Sequence, residues 1–293
     1  MKNKEVVMAK TKIDDLDLSA VKTDELLALL QQRGYFASKL PPTVSGKSFQ
    51  VDLKRLKGKV YRFGVISCTQ IGSKFQQMTH LHGFYKLCKK KGIELVLHCG
   101  DLVDGSKVYR GHEYELFLHG ADAQRDYVID NYPRIAGIQT KVILGNHDES
   151  FWKTDGYNIV RAICEQRDDM DYLGDYLAFI NIDKIKIALM HGAGGVAYAR
   201  SYKLQKIIEQ LSPNIKPHML FLGHYHVQAH IPAYRNVEGI MVGCFQSQTP
   251  FLTRLGLAPN IGGVLVEMNV NELGLLSVKT EWVPYYLSIK DDY

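Results

Sequence analysis

No stretch of this 293-residue sequence stays apolar for the ~20 residues that a membrane helix needs. Its longest apolar stretches, around Ile187 to Met190 and Gly263 to Val266, are the length of strands, so a bilayer-spanning chain is not expected. The first ten residues, MKNKEVVMAK, lack the run of ~7–15 apolar residues of a secretory leader, and a cytoplasmic location is the expectation. Cysteine is scarce: five residues (Cys68, Cys88, Cys99, Cys164, Cys244), an odd number with no CxxC pair, indicate neither a disulfide framework nor a four-thiolate zinc site. Any cysteine that matters acts singly. Charge of one sign is not in large excess either; the formal +5 is compatible with a polyanionic partner without demanding one. Internal repeats and low-complexity tracts are missing. What is present is an ordinary globular composition, 46% hydrophobic and 23% charged, enough for one large domain or two small ones, and eleven histidines. Imidazole is the commonest metal ligand, so where those histidines fall matters.

The first fifty residues differ from the rest. Thr23 can N-cap a short helix whose apolar stripe is Leu26, Leu27, Leu29 and Leu30 and whose C′ glycine is Gly34. Pro41, Pro42, Gly46 and Ser48 read as a linker, giving a division into residues 1–50 and a main domain over 51–293. Between Lys47 and Arg62 the cations Lys47, Lys54, Arg55, Lys57, Lys59 and Arg62 face only Asp52, a solvated lead-in or a contact for phosphates. From residue 59 apolar strands alternate with amphipathic helices: strands at 60–67, 94–98 and 141–144, helices at 75–91 and 113–131. Beyond Leu177 the chain turns strand-rich, with strands near 177–182, 186–190, 219–222, 239–242, 263–268 and 274–279 and one helix near 202–211. The fold class is α/β, and two packed sheets flanked by helices, αββα, suit this pattern better than a doubly wound single sheet.

Ligand-type residues stand just past these strands. Asp101, with Asp104 behind it, follows the strand ending at His98; Asn146, His147 and Asp148 follow Leu144; His191 follows Met190; His224 and His226 follow Leu222. Strand ends along one edge of a sheet converge in space, so residues far apart in sequence can build one ion site. Each turn has a glycine beside its polar residue: Gly100, Gly145, Gly192 and Gly223.

The blocks GDLVDG, GNHDE, MHG and GHYH, in this order over roughly residues 60–285, resemble the calcineurin-like metallophosphoesterase superfamily. The resemblance implies a two-sheet α/β sandwich with a two-metal centre. GSKF at Gly72 to Phe75, VYRGHEYEL at Val108 to Leu116 and GCFQSQTPFLTRLGLAPN at Gly243 to Asn260 are further similar to the small subunits of archaeal family-D DNA polymerases. Those are 3′–5′ exonucleases related to double-strand-break repair nucleases. No oligonucleotide-binding barrel precedes the phosphoesterase part here, so the resemblance covers the catalytic half.

By position, the resemblance implies one divalent metal held by Asp101, Asn146, His191 and His224, and a second that shares Asp101 and takes His226. Such donors suit Mn²⁺ first, with Fe²⁺ and Zn²⁺ as alternatives, and are poor for Ca²⁺. The second ion's Asp-x-His pair is replaced by Cys68 and Gln70, a thiol and a neutral amide, so weaker or different occupancy is expected there. His147 is the expected general acid for hydrolysis of a phosphodiester by a metal-bound hydroxide, with Asp148 holding its tautomer. Tyr109, Arg110, Arg200, Tyr202 and Lys203, with Tyr198, are candidates to contact a nucleic-acid strand. His98 and Cys99 are either packing or neighbours that orient ligands, and His80, His82, His112, His119, His218 and His230 read as ordinary core or surface histidines. The leading expectation is a DNA or RNA nuclease with nucleic acid as its partner, working as a homodimer or with a larger DNA-processing assembly. A phosphodiesterase for a small nucleotide or phosphoester, and a scaffold subunit with an altered metal site, are the alternatives.

Overall fold

The computed structural model describes residues 48–53, 59–213 and 215–293; the helix expected at 23–34 and the cations Lys47, Lys54, Arg55 and Lys57 lie outside them. One six-stranded sheet has the order β12-β11-β2-β3-β4-β5, built from β2 (Val60–Ile66), β3 (Leu95–His98), β4 (Gln139–Leu144), β5 (Met170–Asp175), β11 (Gly262–Asn271) and β12 (Gly274–Pro284). The second, ordered β1-β6-β7-β8-β10-β9, contains β1 (Ser48–Gln50), β6 (Leu177–Ile182), β7 (Ile185–His191), β8 (Met219–Gly223), β9 (Ala229–Tyr234) and β10 (Val237–Met241).

Alternation along the strands sorts side chains to opposite faces. Leu95 and Leu97 of β3, Phe63 and Val65 of β2, and Met219 and Phe221 of β8 point between the sheets, where they meet Ile187 and Leu189 of β7 in one buried cluster. Their neighbours Val96 and Ile66 point outward to α1 (Met78–Lys90), α2 (Ala121–Asn131) and α4 (Ile159–Cys164), which follows the short α3 (Glu149–Asp155), while Leu220 and Leu222 meet α5 (Tyr202–Gln210). The layers are therefore helix, sheet, sheet, helix, as the sequence pattern requires. Helix α1 buries Met78, Leu81, Phe84, Tyr85 and Cys88, one stripe at helical spacing. Its Phe84 fills a notch made by two glycines: a Cβ on Gly263 of β11 would lie 2.7 Å from the ring, and one on Gly64 of β2 3.2 Å.

Several elements differ from the sequence expectation. The helix expected over 113–131 is a 3-10 turn at His112–Tyr114 followed by α2, because Gly120, at φ 92°, caps a new start. Between them the backbone pairs elsewhere: Leu116 bridges Ser73, and the Phe117 N–H donates to the Gly72 carbonyl at 3.0 Å. For the same reason α1 begins at Met78 rather than Phe75. Residues 48–50, assigned to the linker, instead pair parallel with β6. Strand β9 has Pro232 within it, which an edge strand tolerates because one side makes no ladder bonds. No helix among the described residues is long and apolar enough to cross a membrane.

Candidate metal centre and cleft

Strands β2, β3 and β4 are parallel in one sheet and β7 and β8 in the other, and their carboxyl ends meet on one rim. The loops there are fastened together: the Cys68 N–H donates to the Gly100 carbonyl at 2.9 Å and the Gln70 N–H to the Asp101 carbonyl at 3.2 Å. Cys68, Gln70, Asp101, His224 and His226 take positive φ values of 50, 46, 58, 88 and 55°. Such conformations cost of order 1 kcal/mol or more each for a residue with a Cβ, and their clustering marks a functional site. Gly100, at φ 85°, sits so close to the centre that a Cβ there would lie 2.7 Å from His191 Nδ1.

Four acceptor atoms converge at this rim. His191 Nδ1 lies 2.7 Å from the Cys99 carbonyl, which fixes a proton on that nitrogen. Nε2 thereby faces Asp101 Oδ2, 3.2 Å away, and Asn146 Oδ1, 3.0 Å away. His224 Nε2 likewise donates to the Gly194 carbonyl at 2.9 Å, leaving Nδ1 facing Asn146 Oδ1 at 2.8 Å. Acceptors this close repel unless a proton or a cation lies among them. A carboxylate, an amide oxygen and two imidazole nitrogens are a donor set that would hold a divalent ion, and the backbone carbonyls hold the imidazoles as ligand histidines are usually held. Burial, then the His191 charge, lowers the pKa of His224, which keeps it in the neutral, ligating form. Burial alone would raise the pKa of Asp101; His191 and His147 hold it well below the carboxylate range. These residues fit a divalent metal ion.

The Cys68 side of Asp101 is different. Cys68 Sγ accepts the His224 N–H at 3.3 Å, sits 3.1 Å from Ser67 Oγ and lies 4.0 Å from Asp101 Oδ2. Burial and the Asp101 charge push its thiol well above its ordinary pKa. Gln70 Nε2 donates to Asp101 Oδ2 at 3.1 Å and lies 3.5 Å from His226 Nε2. Here Asp101 Oδ2 and Cys68 Sγ each face an N–H donor, Gln70 Oε1 and His226 Nδ1 are buried without a partner, and Cys68 Sγ lies within 4.8 Å of ligand atoms of Asp101 and His191. A protonated thiol and a neutral amide are a weaker donor set for a second ion than a carboxylate and an imidazole.

His147 lies beside the four acceptors, its N–H donating to Asp101 Oδ1 at 2.9 Å. Its Nδ1 donates to the Asp104 carbonyl at 2.7 Å and lies 3.3 Å from Asp104 Oδ1, leaving Nε2 for the cleft. Burial would lower its pKa, and the charges of Asp101 and Asp104 with the Asp104 hydrogen bonds raise it to about 9. The expectation that Asp148 orients His147 is corrected: both Asp148 oxygens are taken by backbone, accepting the N–H of Asp101 (2.9 Å), Val103 (2.9 Å) and Gly145 (2.8 Å). Asp148 holds the loops, and Asp104 holds the histidine. Behind Asp104 stands His112, fully buried, with Nε2 3.2 Å from Asp104 Oδ2 and Nδ1 accepting the Val108 N–H at 3.3 Å. The sequence reading treats His112 as ordinary; only its spacing of eight from Asp104, in an irregular segment, could have marked it.

Residues 61–246 match the calcineurin-like phosphoesterase family. The chain belongs to this family. Two curated relatives are DNA polymerase II small subunits: one from Methanothermobacter thermautotrophicus, 25% identical over 59% of this chain and 43% of its own length, and one from Methanocaldococcus jannaschii, 25% identical over 65% and 37%. The phosphoesterase thus spans less than half the length of these relatives. Among solved structures, one described as a novel archaeal phosphodiesterase is 14% identical, covers 76% of this chain and 99% of its own, and superposes with a TM-score of 0.39.

The phosphoesterase centre opens on a cleft of about 640 Å³ whose lining includes Asp101, Asn146, His147, His224 and His226. One wall is the ring of Tyr109 stacked on Phe251, centroids 4.1 Å apart and 17° from coplanar, with the Tyr109 hydroxyl donating to Glu115 at 2.7 Å. Tyr198, Arg200 and Leu255 also line it. The structure thus brings Tyr109 and Arg200 of the expected contact residues to the cleft, while Arg110, Tyr202 and Lys203 are outside its lining. The reason is local: Leu204 and Ile208 turn one face of α5 inward, which sends Tyr202 to solvent, and Arg110 is exposed on a turn before Gly111. Phe251 enters from α6 (Pro250–Arg254), a helix the sequence reading did not place.

Proposed function

We propose that the chain is a metal-dependent phosphodiester hydrolase acting on a nucleic-acid strand, a nuclease of the polymerase-subunit type. The observation that carries this reading is His147, oriented by Asp104, beside a four-acceptor ion site on the floor of an aromatic cleft. Asp101, Asn146, His191 and His224 would hold the ion, with Mn²⁺ the first candidate. A bound divalent ion supplies a Lewis acid for the phosphoryl oxygens and lowers the pKa of water. The Asp104 carboxylate and carbonyl beside Nδ1 favour the protonated ring, and Nε2 of His147 would deliver its proton to the departing oxygen. Asp104 keeps the ring turned so that Nε2 faces the cleft. The Tyr109–Phe251 pair and Tyr198 offer ring faces for bases, and Arg200 a bidentate partner for a phosphate.

The names of the curated relatives favour a nucleic acid over a small diester and a place in a DNA-processing assembly. The test is cleavage of end-labelled single- and double-stranded DNA and RNA with added Mn²⁺, beside hydrolysis of bis-p-nitrophenyl phosphate. Strand cleavage that disappears with chelator and in Asn146→Ala is expected. Hydrolysis of the small diester alone would move the assignment to a small-molecule phosphodiesterase, and no turnover of either would end the enzyme reading.

A further inference from the structure

The two sides of the Asp101 carboxylate are built on opposite principles. Toward His191, Asn146 and His224 it belongs to a set of ligand-type oxygens and nitrogens 2.8–3.2 Å apart that needs a proton or a cation among them. Toward Gln70 it meets an N–H: Nε2 lies 3.1 Å from Asp101 Oδ2 and 3.5 Å from His226 Nε2, bridging the carboxylate and the imidazole. In the ion-free site, turning the amide over would set its oxygen against the carboxylate; the donor orientation satisfies Asp101 and leaves Gln70 Oε1 buried without a partner. Gln70 cannot swing away cheaply: it is 1% exposed, its backbone is pinned to the Asp101 carbonyl, and its φ is 46°. Cys68 Sγ, the remaining candidate ligand, is engaged by the His224 N–H and Ser67.

We infer that this phosphoesterase holds a single divalent ion, in the Asp101, Asn146, His191 and His224 site, and that the positive end of the Gln70 amide stands where a second ion would bridge Asp101 and His226. A neutral dipole replaces a dication there. The amide keeps Asp101 oriented toward the first ion and supplies one N–H donor at the edge of the cleft. The inference rests on the metal-centre reading proposed above, but not on its nuclease half.

Counting ions separates the two. The full chain, stripped with chelator, dialysed against Mn²⁺ or Zn²⁺ and measured by elemental analysis, is expected to retain one ion per chain, and Asp101→Asn, measured alongside to subtract adventitious ions, none. Mn²⁺ bound to the wild type should give the spectrum of an isolated ion by electron paramagnetic resonance, without the exchange coupling of a pair ~3.5–4 Å apart. Cys68→Asp with Gln70→His is expected to take up a second ion and to show that coupling. Two coupled ions in the wild type would overturn this inference alone; no retained ion would overturn it together with the metal centre. A folded double variant that still holds one ion would overturn the role given to Gln70, and the wild-type count stands as a test if that variant fails to fold.

Discussion

His98 shows what the rim demands of a single side chain. Thr69 donates its hydroxyl proton to the Leu102 carbonyl at 2.7 Å and therefore accepts from His98 Nε2 at 3.1 Å, so the imidazole is neutral with Nδ1 buried and unpartnered. Burial lowers its pKa to about 3, against the raising effect of Asp101 and with that of His191. The unfolded chain takes up this proton below ~6.5 and the native one does not, so stability is complete above that pH and falls as pH drops toward 3. At pH 5 this one histidine costs about 2 kcal/mol relative to neutral pH. His98→Gln, followed by urea unfolding of the metal-free protein at pH 7 and pH 5, should lose about that much less than wild type on acidification. Parallel losses would show that His98 does not titrate this way. The same scale explains what a sequence hides. That Asp101, Asn146, His191 and His224 stand just past strand ends was legible in the sequence, and the resemblance to the phosphoesterases grouped these four as one ligand set. That Asp104 rather than Asp148 turns His147 was not, because both carboxylates follow a strand and only the folded loops show which one the backbone occupies.

Among the elements, α1 and the sheet beneath it depend on each other. Phe84 sits in the notch of Gly64 and Gly263, on neighbouring strands β2 and β11, and no smaller arrangement admits a phenyl ring so close to the backbone. Gly263→Val forces the ring out and should cost about 1–3 kcal/mol in thermal or urea unfolding. In a double-mutant cycle, Phe84→Ala should make the same valine cheaper, while additive losses would mean that the notch does not seat the ring. Apolar alternation and helical stripes made most of these elements readable in advance. Two of the misses have clear physical causes: β9 carries a proline at a sheet edge, and residues 112–120 obey neither period because their backbone pairs with residues 72–74. His112 entered the site through that irregular stretch, which is why no periodicity pointed to it.

For the whole molecule, the αββα sandwich brings carboxyl strand ends of both sheets to one rim and surrounds them with a cleft that neither sheet could form alone. The cleft's far wall, α6 with Phe251, comes from the long segment between β10 and β11, a region whose sequence resembles polymerase subunits but carries no strand or helix pattern of its own. The fold and the strand ends that carry the candidate ligands were therefore largely visible in the sequence, whereas the shape of the cleft depended on a loop. The central claim is that His147 donates the proton while a separate set of side chains holds the ion. It is tested most directly by comparing wild type and His147→Ala, at verified equal ion content, on an oligonucleotide and on a p-nitrophenyl diester whose leaving group needs little protonation. The account predicts a loss of about 10²–10⁴-fold on the oligonucleotide and a much smaller one on the p-nitrophenyl ester. Equal losses on both, or none on the oligonucleotide, would contradict it.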